Sequence, residues 1–109
     1  MHMKRFGQVI RLKPEKAEEY IRHHEAVWPG VLKMIKQSHI SSYSIFFKDN
    51  MLFAYFEYTG NDFKRDMEIM AADEETQRWW GVVKPLMDPL ENRQPGEFWA
   101  DMKEIFHLD

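Results

Sequence analysis

ISSYSIFFKDNMLFAYFEYT, residues 40–59, is two runs of β-forming residues around a polar turn. In the first run the two-residue strand period puts Tyr43, Ile45 and Phe47 on one face. The triplet Lys48-Asp49-Asn50 supplies the turn, and residues 51–59 return as a second strand. The aromatics Phe46, Phe53, Tyr55 and Phe56 load this hairpin with apolar surface. Gly60-Asn61-Asp62 ends it, with Asp62 suited to cap a following helix.

Working outward, KRFGQVIRL (4–12) alternates through Phe6, Val9, Ile10 and Leu12 and reads as a strand. Pro14 and the acidic Glu15, Glu18 and Glu19 favour a helix start, and that helix runs to about Val27. Pro29 kinks or restarts it, and residues 30–38 continue helical. Beyond the hairpin, residues 62–73 and 74–87 read as helix, the latter stopped near Pro85. A turn-rich loop (88–97) and a last strand, FWADMKEIFHL (98–108), complete the chain. The order strand, helix, strand, strand, helix, strand is the ferredoxin-like βαββαβ plan, an α+β fold, here one domain over residues 1–109. Helices on one side of such a sheet leave its other face open. Two sheets packed face to face cover it, which predicts a homodimer built as a dimeric α+β barrel.

Composition narrows the function classes. The chain has 109 residues, enough for one core, and no linker or repeat. Net charge is −3 with no basic block, which argues against nucleic acid. No apolar run is long enough for a membrane span, and Met1 leads into a charged strand-like stretch rather than a signal peptide. The absence of cysteine excludes disulfides and thiolate chemistry and fits a cytoplasmic protein. Four tryptophans are more than one small core accommodates, so some belong to a cleft or an interface.

EEYIRHHEAVWP (18–29) holds the chemistry-bearing residues. Tyr20 and His24 are four apart and share a helix face, with Val27 and Trp28 continuing roughly along it. His23 is turned about 100° away and is expected to face solvent. The pair reads either as hydrogen-bonded core or as polar groups aimed into a cleft, where an imidazole with an ordinary pKa of about 6.5 can move protons. No H-x-x-x-H or H-E-x-x-H spacing occurs, and His24, His39 and His107 have no local pattern for a metal. Trp79 and Trp80, in QRWW (77–80), point different ways on a helix, so one can pack while the other lines a pocket. A tryptophan face suits the C–H face of a pyranose, and Tyr43 offers a further hydroxyl. This inventory fits a neutral polyhydroxylated ligand.

EEYIRHHEAVWP, SSYSIFF, LFAYFEY, QRWW and the closing KEIFHLD occur in the order and spacing of L-rhamnose mutarotases, a family the chain resembles over nearly its whole length. The resemblance implies a cytoplasmic, cofactor-free homodimer that interconverts the α and β anomers of L-rhamnose. It implies His24 as proton donor, and Tyr20, Tyr43, Trp79 and Trp80 as sugar-binding residues. Two features depart from the family pattern. PLMDPLENRQPGEFW lacks an Asp-Asn-Ser-Pro-like stretch, and His23 stands where arginine is expected. A haem- or aromatic-ligand-binding barrel, with the helix histidine as axial ligand, is an alternative of a different class. So is a sugar-binding module without catalysis.

Overall fold

The computed structural model describes residues 3–109, so the first two residues of the expected domain lie outside the described span. Strand β1 (Lys4–Leu12) leads through a 3₁₀ turn (Pro14–Lys16) into α1 (Ala17–His24) and α2 (Pro29–Gln37). The hairpin β2 (Ile40–Lys48) and β3 (Met51–Tyr58) follows, then α3 (Phe63–Ala72) and α4 (Glu74–Val83). A second 3₁₀ turn (Lys84–Leu86) precedes the short strands β4 (Met87–Asp88) and β5 (Ala100–Met102). The sheet is antiparallel in the order β2-β3-β1-β4, with β5 on the same edge of β1 as a second short piece. This is the expected ferredoxin-like α+β arrangement, with the first helix restarted at Pro29 and the second helical region in the two pieces read from the sequence.

The divisions have local causes. Pro29 restarts a helix at its first position, where its missing N–H costs nothing, with Trp28 extended just before it. Val27 and Trp28 therefore leave the helical face predicted for them. Asp62 accepts from the Arg65 N–H at 3.2 Å and caps α3 as expected. Asp73 accepts from the N–H and hydroxyl of Thr76 at 3.0 and 2.9 Å and starts α4. The hairpin turn places both Asp49 and Asn50 at positive φ, the mirror-image turn that matches strand twist.

Register assigns the two faces. Phe6, Gln8 and Ile10 lie opposite Phe56, Ala54 and Leu52, and this face meets the helices. Ile10, Leu12 and Leu52 are fully enclosed there. A bulge between Ser41 and Ser44, with Ser42 at φ 51°, moves Tyr43 onto the same side as Ile40. Tyr43, Ile45 and Phe47 thus share the helix-side face, as the period predicts. Phe56 joins them in the core, not the open aromatic surface to which the sequence reading assigned it. The other face carries Val9, Phe46, Phe53, Tyr55 and Met102 with no helix of the described residues over it, and Phe46 is 63% exposed.

The last strand is much shorter than residues 98–108. It is split into β4 and β5, and residues 103–109 carry no regular structure. Pro89, Pro95 and Gly96, the last at φ 87°, turn the intervening segment out of the sheet. Ion pairs hold both ends. Arg11 binds Asp88 and Glu91 at 3.1 and 2.7 Å, and Arg5 binds Glu104 at 2.7 Å. The closing Ile105, Phe106 and Leu108 are about as exposed as a free chain, Ile105 at 89%.

Candidate functional site

A cavity of about 420 Å³ lies between the helices and the sheet. Its lining includes Tyr20 and His24 from α1, Tyr43 from β2, Trp79 and Trp80 from α4, and Gln8 from β1. All five side chains singled out in the sequence therefore come together. Several others arrive with them. Lys84 follows α4, Glu97, Phe98 and Trp99 come from the segment between β4 and β5, and Asp101 comes from β5.

His24 sits at the end of α1, half-buried. Its ring stacks on Tyr20 with centroids 4.1 Å apart and meets Trp79 edge-on at 5.3 Å. Its Nδ1 lies 2.8 Å from the Tyr20 carbonyl oxygen. A carbonyl only accepts, so Nδ1 carries the proton and donates, and Nε2 is left as the unprotonated nitrogen of the neutral ring. Burial lowers the His24 pKa below its ordinary 6.5; the bond to the Tyr20 carbonyl works the other way, and His23 adds to the lowering. Above that lowered value the ring is neutral and Nε2 is a proton acceptor.

Tyr20 is only 3% exposed, yet its hydroxyl has no hydrogen-bond partner among the described residues. Among the described residues no side-chain polar atom is both fully enclosed and unpartnered, so this hydroxyl is reached from the cleft. Burial, reinforced by Tyr43, pushes its pKa far up, and it remains a hydrogen-bond donor at any working pH. Tyr43 is 41% exposed and packs its ring on Phe56. Trp79 is both core and lining. It is 5% exposed and meets Trp28 as well as His24 at 5.3 Å. Trp80 is half-exposed beside it, so both tryptophans line the cleft rather than one.

His23 is not simply solvated. Its Nε2 lies 3.5 Å from Glu19, and its ring stands 6.3 Å from Trp79. His39 pairs with Asp66 at 3.1 Å and His107 with Asp109 at 2.6 Å, so the three histidines considered for a metal each have separate partners. Among the described residues no cluster of three or more His, Asp or Glu is placed to hold a metal ion. Nor, among the described residues, is any helix long and apolar enough to cross a membrane.

Sequence reasoning missed two further features. Gln8 donates from Nε2 to Asp101 at 2.8 Å across the sheet, a contact that only the β1–β5 register creates. Lys84 did have a signal, because it stands four residues after Trp80 and so on the same side of the helix end.

Comparison with known proteins covers nearly the whole chain. The family model for L-rhamnose mutarotase matches residues 5–108. An L-rhamnose mutarotase of Oceanobacillus iheyensis is 32% identical over 109 residues, covering 98% of this chain and 100% of the relative. Among solved structures, the L-rhamnose mutarotase of Formosa agariphila superposes with a TM-score of 0.75 at 23% identity, covering 97% of this chain and 99% of that one. Tetracenomycin F2 cyclase, a polyketide cyclase of Streptomyces glaucescens, shares the fold at a TM-score of 0.68 and 11% identity, covering 97% of each chain. With its family pattern matched from β1 to the closing residues, the chain belongs to the L-rhamnose mutarotase family.

Proposed function

We infer that this protein catalyses the interconversion of the α and β anomers of L-rhamnose, with His24 as the proton-transferring residue. The observation that carries the reading is the fixed tautomer of His24. One nitrogen is committed to the Tyr20 carbonyl, and the other is free in a cavity lined by tyrosines and tryptophans. Family membership supplies the sugar.

The chemistry fits one imidazole. Neutral Nε2 takes the proton from the hydroxyl O1. The electrons of that O–H bond form the C1=O1 double bond as the C1–ring-oxygen bond breaks. The imidazolium so formed is the acid that protonates the departing ring oxygen. Rotation about C1–C2 presents the other carbonyl face, and the reverse steps close the ring with the proton returned to O1. Both oxygens are bonded to C1, within reach of a single nitrogen. Nothing is consumed, and the cycle calls for no cofactor. Such acid–base help is worth about 10²–10⁴-fold.

The Tyr20 and Tyr43 hydroxyls hydrogen-bond the sugar, and Trp79 and Trp80 face its C–H surface. The working unit is a homodimer. Support comes from the uncovered sheet face with Phe46 and Phe53, and from the apolar closing residues Ile105, Phe106 and Leu108. The cysteine-free composition supports a cytoplasmic setting.

Saturation-transfer NMR on the two anomeric protons of L-rhamnose tests the reading directly. Transfer should rise in proportion to added protein. A protein that binds rhamnose without raising transfer is a sugar-binding module. One that purifies with a haem absorption band and leaves exchange unchanged belongs to the haem reading.

A further inference from the structure

Among the described residues Lys84 is the only lysine or arginine lining this cavity, and nothing in the reaction described above uses it. Its ammonium lies 4.3 Å from the centre of the Trp80 ring and 4.9 Å from that of Phe98. All three side chains line the same cavity as His24. Glu97 and Asp101 line it too, yet neither pairs with Lys84. Glu97 accepts from the Gln94 N–H at 3.0 Å, and Asp101 accepts from Gln8 at 2.8 Å. Among the described residues the ammonium has no hydrogen bond or ion pair at all. Charged lysines left without a carboxylate normally extend into water, whereas this one is drawn over two aromatic faces inside a ligand cavity.

The donor inventory of the ammonium decides what it can meet. It carries three N–H donors and no acceptor. Of the oxygens of a pyranose, only the ring oxygen has no hydrogen and is an acceptor alone. That same atom gains negative charge as its bond to C1 breaks. We propose that Lys84 is a second substrate-contacting residue of this enzyme, whose ammonium hydrogen-bonds the sugar ring oxygen and holds its growing charge during ring opening. The ring oxygen has two lone pairs. One accepts from Lys84, and the other takes the proton from His24. Preorganised donors act most strongly on charge that exists only in the transition state, so the contribution falls on turnover rather than on binding. Burial lowers the Lys84 pKa below its usual 10.5, which makes the ammonium a better donor. The other titratable groups on the cleft are His24, Tyr20, Tyr43, Glu97 and Asp101.

The proposal rests on the mutarotase reading, so exchange by the parent protein is measured first. If the parent does not accelerate rhamnose exchange, it is that reading which fails. Given an active parent, Lys84→Met keeps the apolar stem over Trp80 and removes the charge, while Lys84→Arg keeps the charge. Circular dichroism and melting of each variant confirm the fold, with Lys84→Gln as substitute should the methionine variant misfold. For L-rhamnose, kcat of the methionine variant should fall about tenfold or more with KM changed much less, below the usual cost of losing an oxyanion-type donor because water also reaches this group. The arginine variant should recover part of that kcat. A folded, charge-free variant with kcat within about twofold of the parent overturns the proposal, whatever its KM, and so does an arginine variant no better than methionine.

Discussion

At the scale of single residues, the proposed function turns on which nitrogen of His24 is free. His24→Ala should leave the fold intact, because the ring is half-buried at a helix end, and should slow anomer exchange by about 10²-fold or more. A pH profile checks the same assignment. The neutral ring must accept first, and burial holds its pKa below 6.5, so exchange should stay level near neutrality and decline only on the acid side of 6.5. His24→Ala should erase that decline. Tyr20→Phe removes a hydroxyl that bonds nothing among the described residues, so it should weaken rhamnose binding and spare stability. The tryptophans separate differently from what the sequence suggests. Trp79 packs on Trp28, His24 and the core, and Trp79→Ala should cost about 3–5 kcal/mol of stability. Trp80→Ala should instead raise KM for rhamnose, read in the same NMR titration, with little loss of stability. The residue identities were legible because their side chains are rare and chemically distinct. The dual role of Trp79 was not, since adjacent helical positions do not reveal which neighbours close over each ring.

At the scale of elements, the hairpin and the caps follow directly from local chemistry. Asp49-Asn50 accepts positive φ, and Asp62 stands at the start of α3. Asp73 caps the helix that carries both tryptophans, and Asp73→Ala should lower the Tm by about 4–8 °C, measured by thermal melting. The effect should shrink in acid. The Thr76 N–H holds the Asp73 pKa below its usual 3.8, so the cap contributes fully above that value and is lost as pH falls through the folded one. What the sequence concealed was non-local. The bulge at Ser42 and the division of the last strand depend on which residues face each other across β1, and no window of neighbours contains that pairing. The helix break at Asp73 was read directly, whereas at Pro29 the proline was plain but whether the chain kinks or restarts is decided by the packing of the next turn.

At the scale of the whole molecule, the alternation of the strands already implied one covered and one open sheet face. Phe46 and Phe53 on that open face predict self-association. Phe46→Asp combined with Phe53→Asp should shift the protein from dimer to monomer in sedimentation velocity, and a parent that sediments as a monomer at micromolar concentration would contradict the assembly. The edge beside β1 carries a different consequence. Its strand is interrupted, and the excursion from Pro89 to Trp99 leaves and re-enters the sheet between two clamped points, Arg11 with Asp88 and Gln8 with Asp101. That excursion supplies Glu97, Phe98 and Trp99 to the cleft, and among the described residues only its last two, Phe98 and Trp99, pack against the buried core. The part before Phe98 therefore behaves as a cassette: its length and wording can be exchanged to reshape the mouth of the cleft while the frame that holds His24 stays as it is.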